Sequence, residues 1–302
     1  MPRACVIVNP AAGAGRTARR WPEIADNLKS LGLDFNLMLT EGPGHAIELA
    51  KSAAASGPEM VVSVGGDGTM NEVVNGIHDA GGLWQVALGV VGTGTGGDYL
   101  RSVGIPHRCD EACRRLLTAG KRKVDLGVIE YVENGRRHAR LFVNFAGVGF
   151  AGEVVRRTTR QFKSLGRTPS YLMAVLATFA SHRNVPTRLT IDGEVTVGKV
   201  ATLILSHGKY GGGGMKVSPN ADPSDGFFDV LVIGDISRPD LLISFPRVYR
   251  GTHLTHPKLE LRQAREVAVK SEAPMAIQVD GDLLPGEAVK FSVLPKALTL
   301  AV

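Results

Sequence analysis

The segment Gly65-Gly66-Asp67-Gly68-Thr69 combines residues that suit a phosphate site. Glycines let a ligand approach the backbone closely, and free N–H groups at a helix start attract anions. Thr69 and Glu72 have the Thr-x-x-Glu spacing of a capping box, which predicts that a helix begins there. Asp67 beside an anion site makes sense if a cation or ribose hydroxyls lie between them. A tight strand-to-helix turn without a ligand is the simpler alternative.

A second glycine loop, Gly92-Thr93-Gly94-Thr95-Gly96-Gly97-Asp98, also follows an apolar run. It matches G-x-G-x-x-G, but the acid expected about 20 residues further on is absent. We therefore interpret it as a second phosphate-proximal loop rather than a dinucleotide fingerprint. The chain has no G-x-x-x-x-G-K-[ST] motif, so it is not a P-loop protein by its motifs. It also lacks the motifs of protein kinases.

Paired acids occur twice in the second half of the chain. Asp222 and Asp225 are close enough in sequence to share Mg²⁺ or Ca²⁺, although a polar turn explains them more simply. Asp280 and Asp282 flank Gly281 after an apolar run, so they could supply a general base and a partner that polarises a metal. Asp-Gly is also a strong hairpin signal, and the residues alone favour that turn.

Strands and helices alternate in the first part of the chain, which predicts a parallel, doubly wound α/β sheet. The predicted strands are Val6–Val8, Phe35–Leu39, Met60–Val64 and Val86–Val91. The predicted helices are Arg16–Leu31, His45–Ala55, Thr69–Ile77 and one that begins near Gly97.

Short strand-like runs separated by turn residues follow Asp125, which predicts an antiparallel β-rich sandwich. They are Leu141–Phe145, Arg188–Ile191, Val200–Leu205, Phe228–Ile233, Lys258–Leu261, Glu266–Val269 and Ala276–Val279. One helical insert is expected from about Ser170 to His182. We place the domain boundary between residues 126 and 127, within a transition at 125–130.

Composition narrows the function class. The 302 residues are 44% hydrophobic and 21% charged, the balance of a folded globular protein. A net charge of +6 favours anionic partners. The sequence has no dense Lys/Arg tract with interleaved aromatic residues, which argues against nucleic acid as that partner. The three cysteines, Cys5, Cys109 and Cys113, are too few for a disulfide scaffold and are expected to be buried or incidental thiols.

Membrane contact has a single sequence hint. The apolar run Tyr171–Ala180 is about half of a membrane span, and the N-terminus has no room for a signal peptide, so we expect a cytoplasmic protein. Five basic residues close before that run suit the anionic inner membrane face, and a solvated charged face is an equal alternative. They are Arg156, Arg157, Arg160, Lys163 and Arg167.

Taken together, the loops resemble the catalytic family of diacylglycerol and sphingosine kinases, including its bacterial soluble lipid kinases. The resemblance spans nearly the whole chain in order. It rests on Asn9-Pro10 with Gly13, Gly65 to Val73, Gly94-Thr95 with Asp98, Asp125-Leu126-Gly127, Asn144 with Gly147 and Gly149, Gly212 to Met215, and Asp280-Gly281.

The resemblance implies a nucleotide-binding domain at 1–126, rejoined by 294–302, and a lipid-substrate domain at 127–293, with ATP in the cleft between them. By position it implies that these residues contact ATP: Asn9, Pro10, Gly13, Thr40, Gly65, Gly66, Asp67, Gly68, Thr69, Asn71, Glu72, Thr95 and Asp98. Asp222, Asp225 and Phe227 match a Mg²⁺ site of bacterial members. The catalytic base would come from the family's Asp-Gly-Glu motif, which reads Asp280-Gly281-Asp282 here.

Four positions depart from the family pattern. Gly97 replaces a preferred Asn, Ala14 replaces a common basic residue for which Arg16 is a stand-in, Ala151 replaces a common acid, and Asp282 is shorter than Glu. Together they leave room for an altered substrate or reduced catalysis.

The expected reaction transfers the γ-phosphoryl of ATP to a lipid hydroxyl, with Asp282 or Asp280 as base and Asp67 and Asp98 holding Mg²⁺ or its waters. Diacylglycerol, phosphatidylglycerol, sphingoid bases and ceramide all fit, and a homodimer is left open. The alternatives are a kinase for a soluble substrate, similar to NAD kinase, and a non-catalytic nucleotide-binding regulator.

Overall fold

The computed structural model describes residues 4–94, 96–118, 120–161 and 167–302, apart from the side chains of 167–169 and 289. The chain divides into two units. The first comprises Met1–Leu126, Pro223–Asp225 and Pro295–Val302. The second comprises Gly127–Asp222 and Gly226–Leu294. Of the described helices, none is both long and apolar enough to cross a bilayer.

The first unit is an α/β fold with a parallel sheet, as predicted. Its strands are β1 (Ala4–Val8), β2 (Phe35–Leu39), β3 (Met60–Gly65) and β4 (Ala87–Gly92). Its helices are α1 (Ala12–Ser30), α2 (His45–Ala55), α3 (Asp67–Asp79), α4 (Asp98–Val103) and α5 (Cys109–Thr118). The strand order is β2-β1-β3-β4, and Thr299 and Leu300 near the end of the chain pair in parallel with β4.

Strands β1 and β3 are buried throughout because helices cover both faces of this parallel sheet. Side chains of α1 and α5 pack with Val6 and Val62 in one apolar cluster, while α2 and α3 pack together beside β1 and β3. Cys109 and Cys113 lie inside that cluster, and burial raises the pKa of the Cys113 thiol to about 12. All three cysteines are buried free thiols, as expected.

The second unit is an antiparallel β sandwich with helices on one side. Its strands are β5 (Lys121–Glu133), β6 (Arg136–Phe142), β7 (Phe145–Gly149), β8 (Val185–Ile191), β9 (Glu194–Val200), β10 (Thr202–Ser206), β11 (Phe228–Ile233), β12 (Leu259–Ala264), β13 (Glu266–Ser271), β14 (Ile277–Val279), β15 (Asp282–Leu284) and β16 (Glu287–Ala301). The helices are α6 (Phe150–Arg160), α7 (Arg167–Ser181), α8 (Arg238–Ser244) and α9 (Arg247–Arg250). Strands β5 and β16 run on into residues of the first unit.

One sheet of the sandwich has the order β12-β11-β10-β7-β14-β15, with antiparallel neighbours. The other sheet includes the antiparallel series β16-β13-β8-β9 and the β5–β6 pair. Inward side chains of both sheets form one core, in which the Phe142 ring stacks on Phe228 at 5.5 Å and meets Phe291 edge-on at 6.5 Å.

A helical layer contributes a second apolar cluster in this unit. Phe150 and Val154 of α6, Phe179 of α7 and Leu241 of α8 pack with Leu231 of β11 in that cluster. The helical insert expected at 170–182 is α7, but α6 and α8 were not predicted. Both helices are short, with 11 residues in α6 and seven in α8, so each offers few repeats of the helical period.

Two local predictions are wrong. The capping box at Thr69 does not form, since α3 begins at Asp67 with Gly66 as N-cap and no side chain caps it. The strand predicted over Leu141–Phe145 is interrupted, and β6 ends at Phe142 before β7 begins at Phe145. The N–H groups of Val143 and Asn144 in this gap, and that of Phe145 at the start of β7, donate to the Asp280 carboxylate.

Candidate functional site

The glycine loops of the first unit follow β1, β3 and β4 at the carboxyl edge of the sheet. Because β2 lies on one side of β1 and β3 lies on the other, the chain connections diverge between β1 and β3. Such a switch point opens a crevice beyond the carboxyl ends of parallel strands, where ligands of α/β folds bind. The loops after β1 and β3 are those predicted to contact a nucleotide.

The loop after β1 is fixed to the start of α3. The Asn9 amide donates from Nδ2 to Thr69 Oγ1 at 3.0 Å, and its Oδ1 accepts from the Ala11 N–H at 3.1 Å. Gly13, Ala14 and Gly15 all have positive φ, so the regular part of α1 begins at Arg16, as predicted. Asn9 therefore holds this loop beside the glycine run that follows β3.

Close packing between loops requires several of these glycines. A Cβ at Gly94 would lie 2.9 Å from Cα of Gly66, and one at Gly65 would lie 2.6 Å from Thr69 Oγ1. A Cβ at Gly13 would lie 3.0 Å from the carbonyl oxygen of Thr93. Gly68 differs, because a Cβ there meets nothing within 4 Å. Loop packing thus explains most of the glycines, and Gly68 leaves open space at the start of α3.

Asp67 connects the two glycine loops. Its Oδ2 accepts the Gly97 N–H at 3.0 Å, so part of its role is to position the second loop. Gly97 has φ +78°, and a Cβ there would lie 2.6 Å from Cε1 of His107. His107 occupies the space that a side chain at position 97 would need, which gives the missing Asn a local explanation. Asp98 is buried at the first position of α4.

Three further predicted ATP contacts have structural partners of their own. The Glu72 carboxylate accepts from the N–H groups of Gly44 and Ala46 at 3.0 and 3.2 Å, and so caps α2 instead of α3. Asn71 is fully buried and its Oδ1 accepts from Asn75 at 3.2 Å. Thr40 is buried where its N–H donates to the Val8 carbonyl at 2.9 Å.

Pro10 and Thr95 are the last two predicted nucleotide contacts. Pro10 contributes its carbonyl, which accepts from the Ala18 N–H at 3.3 Å at the base of α1. Thr95 lies outside the described residues.

The paired acids of the second unit form a hairpin turn between β14 and β15. Asp280 and Gly281 have φ of +47° and +91°, as in a two-residue type I′ turn. The Asp280 carboxylate accepts three backbone N–H groups, from Val143 at 2.7 Å, Asn144 at 2.9 Å and Phe145 at 3.0 Å. Asp280 therefore holds the β6–β7 corner, a role that leaves little capacity to take a substrate proton.

Asp282 has a different environment. Its side chain is 46% exposed, and its Oδ2 accepts from Arg140 at 2.8 Å. Sequence reasoning missed Arg140, because 142 residues separate the two partners and no local pattern connects them. Arg140 fixes the orientation of the Asp282 carboxylate, whereas backbone N–H groups hold the Asp280 carboxylate.

A buried amide lies beside the same corner. Asn144 is 4% exposed and its Nδ2 donates to the Tyr210 carbonyl at 3.0 Å, while its Oδ1 has no hydrogen-bond partner among the described residues. The adjacent Gly211 has no room for a side chain, because a Cβ there would enter the Phe145 ring. Asn144 thus joins the glycine run that begins at Gly211 to the corner that Asp280 holds.

The predicted metal ligands lie between β10 and β11. Asp222 and Asp225 are exposed, and the Phe227 ring lies 4.6 Å from the Arg265 guanidinium carbon. Asp225 belongs to the first unit, together with Ser224, whose Oγ accepts from Arg122 at 2.9 Å. Within the described part of the chain, no three His, Cys, Asp or Glu residues come close enough together to hold a metal ion.

Known families match both units. A model of the "Diacylglycerol kinase catalytic domain" matches residues 3–129, and one of the "YegS C-terminal NAD kinase beta sandwich-like domain" matches residues 145–302, about half of the chain. The chain is similar to a diacylglycerol kinase of Mycobacterium tuberculosis, with 30% identity over 97% of this chain and 92% of the relative. A diacylglycerol kinase of Staphylococcus carnosus is 29% identical over 93% of this chain and 88% of its own length.

A solved structure shows the same fold. The crystal structure of a diacylglycerol kinase from Bacillus anthracis str. Sterne has a TM-score of 0.77 at 23% identity, covering 99% of this chain and 96% of that one. The family matches extend through both units and include the glycine loops and the Asp280–Asp282 turn. The chain therefore belongs to the diacylglycerol kinase family.

Proposed function

We propose that the protein is an ATP-dependent kinase that phosphorylates a hydroxyl group of a lipid. The observation that carries this proposal is the set of interlocked glycine loops at the switch point of the first unit. Relatives named diacylglycerol kinase, which align over most of the chain, make diacylglycerol the first acceptor to test. Phosphatidylglycerol, sphingoid bases and ceramide present a comparable hydroxyl and are further acceptors.

The first unit fits a nucleotide phosphate at the start of α3. This helix has 13 residues, and Gly68 in its first turn leaves space for an anion beside the backbone. Asn9 and Thr69, bonded to each other, fix the loop that would border the phosphates. ATP supplies the transferred phosphoryl group, and these residues would bind and orient it.

Mg²⁺ would accompany the ATP phosphates. Magnesium usually keeps several waters and binds one or two carboxylates plus substrate phosphates, so it does not require a cluster of three acids. Asp98 and the second oxygen of Asp67 are the carboxylates we propose for this role. Asp222, Asp225 and Phe227 remain a proposed second site for Mg²⁺, as the family resemblance implies.

Asp282 is the better candidate for the base. The three N–H groups on Asp280 fix that carboxylate to the backbone, whereas Asp282 is half-exposed. Asp282 would accept the proton of the lipid hydroxyl and align its oxygen for attack on the γ-phosphorus. Arg140 would hold the carboxylate in place during this step.

The test is a phosphotransfer assay with labelled ATP and each lipid in detergent micelles, with NAD included as a soluble acceptor. We expect labelled lipid from the wild type and a loss of about 10²-fold or more in Asp282→Asn, the usual contribution of a general base. Labelled NAD without labelled lipid would support a soluble-substrate kinase. ATP binding without any turnover would support a regulator instead.

A further inference from the structure

Helix α7 turns an apolar face outward. Leu172, Met173 and Leu176 are 55%, 43% and 46% exposed, whereas Val175 and Phe179 are buried in the helical layer. Leu172 and Met173 lie four and three positions before Leu176, and such spacings place side chains on one side of a helix. This helix is thus apolar on its outer side as well as on its inner side, and the outer side has no cover within the described chain.

The neighbouring segment α8–α9 repeats this pattern. Leu242, Ile243 and Tyr249 are 46%, 67% and 47% exposed. The segment lies against α7, since the rings of Phe179 and Phe245 are 5.4 Å apart. We call the six exposed residues of α7, α8 and α9 the apolar face. Six large exposed side chains on adjacent elements exceed the scattered apolar residues of an ordinary surface.

Positive charge borders the apolar face. Arg247 and Arg250 are exposed on α9, and Arg238 begins α8, where its Nε donates to the carbonyl oxygen of His182, directly after α7. Asp235 and Asp240 lie in the same segment, so residues 235–250 carry three arginines against two acids, a net charge of +1. Asp240 accepts from the Ser237 hydroxyl at 2.7 Å, and Asp235 accepts from an asparagine amide at 2.7 Å.

Two of the five basic residues predicted to touch a membrane make ion pairs within the fold. Arg156 and Arg157 both pair with Glu153 at 2.7 Å. Arg157 also donates to the Ala177 carbonyl at 3.2 Å and to Ser181 Oγ at 2.8 Å, so it fastens α6 to α7. Arg160 is exposed on α6, whereas Lys163 and the side chain of Arg167 lie outside the described residues. Glu153 offsets one of the three arginine charges of α6, which leaves that helix with a net charge of +2.

We propose that the apolar face is the surface by which this protein docks on an anionic lipid bilayer. The apolar side chains would enter the region between headgroups and acyl chains, and Arg247 and Arg250 would contact lipid phosphates. The proposal rests on the proposed function, because a lipid kinase must reach a substrate in the bilayer. It adds α7 and α8–α9 to the contact predicted through the basic residues that precede α7.

The arginines of α9 favour an anionic bilayer over a second copy of the chain as the partner of the apolar face. Two copies joined through this face would bring the arginines of both α9 segments together, and like charges at an interface cost free energy. Anionic headgroups complement the same arginines. The mixed apolar and basic character therefore favours a membrane over a symmetric dimer.

Vesicle sedimentation tests the proposal with the full chain. Vesicles of phosphatidylcholine with anionic phosphatidylglycerol are compared with phosphatidylcholine alone. We expect Leu242→Ser/Ile243→Ser to weaken binding to the anionic vesicles at least about tenfold, because two apolar side chains no longer enter the bilayer. Arg247→Glu/Arg250→Glu should remove the preference for anionic vesicles. Val197→Ser is the matched control, because Val197 is 72% exposed on β9.

Two outcomes would overturn the proposal. One is unchanged vesicle binding by both double variants. The other is a wild-type dimer that becomes monomeric in Leu242→Ser/Ile243→Ser while vesicle binding persists, as measured by light scattering. Turnover of lipid in detergent micelles tests the proposed function separately. A variant that loses vesicle binding but keeps micellar turnover would support the docking surface, and loss of all lipid turnover in the wild type would contradict the proposed function alone.

Discussion

Replacing Asp280 with asparagine should destabilise the second unit, whereas the same change at Asp282 should not. The Asp280 carboxylate accepts three N–H groups, two on Oδ1 and one on Oδ2. An asparagine amide keeps one oxygen for the first two but points an NH₂ donor at the N–H of Val143. Asparagine also tolerates the positive φ of this turn, so the change tests the hydrogen bonds rather than the backbone.

The expected magnitude follows from these bonds. A hydrogen bond to a charged group contributes about 1.5–3 kcal/mol, and a buried N–H left without an acceptor costs a similar amount. We expect Asp280→Asn to lower the free energy of unfolding by about 3 kcal/mol. The Asp282–Arg140 pair is partly exposed, with side chains 46% and 23% accessible, so Asp282→Asn should cost less than about 1 kcal/mol.

Urea unfolding followed by circular dichroism measures both variants. Tryptophan fluorescence is unsuitable, because Trp21 and Trp84 both lie in the first unit. Hydrogen exchange of the peptide that contains residues 143–145 reports the affected amides directly. Equal stability of the two variants, with unchanged exchange at this corner, would refute the assignment of Asp280 as a structural acceptor.

Three other predictions concern the first unit and a buried histidine. Gly94→Ala should lower the melting temperature and weaken ATP binding, both measured by calorimetry, because the added Cβ would collide with the backbone of the loop after β3. Gly68→Ala has room for the added carbon and should keep its stability. Glu72→Gln should cost about 1 kcal/mol in urea unfolding through loss of the charged α2 cap, whereas Glu48→Gln, exposed on the same helix, should cost less. The free energy of unfolding should fall as the pH drops below 6.5, the ordinary histidine pKa. Burial lowers the pKa of His253, so the unfolded chain takes up a proton before the folded chain does. His253→Gln should flatten this pH dependence.

Clear results would contradict these three predictions. A fully stable Gly94→Ala protein with normal ATP affinity would mean that the loops separate easily. Equal losses in Glu72→Gln and Glu48→Gln would mean that the cap contributes nothing beyond surface charge. His182 is partly buried and desolvation lowers its pKa, so its presence would leave a residual pH slope in His253→Gln. A slope equal to that of the wild type would exclude His253 as its source.

Much of the architecture was predictable because local patterns specify it. Alternating apolar strands and amphipathic helices indicated the parallel sheet, and β2 and α2 have the predicted bounds. The β-rich second half followed from short runs between turn residues. Strand β9 escaped prediction because all but its last residue are exposed, and such a strand carries no alternation of buried and exposed positions.

The residue types of the candidate site could be predicted from the sequence, because glycine loops after strands and an Asp-Gly turn have local signatures. The partners of these residues were decided by tertiary structure. Glu72 has the right spacing to cap its own helix, yet its carboxylate lies nearer to the unsatisfied N–H groups that begin α2. Asp280 and Asp282 are equivalent in sequence, but only folding brings three N–H groups to one and Arg140 to the other. Sequence spacing fixes which groups are available, whereas hydrogen bonding depends on distances that are set by packing across the fold.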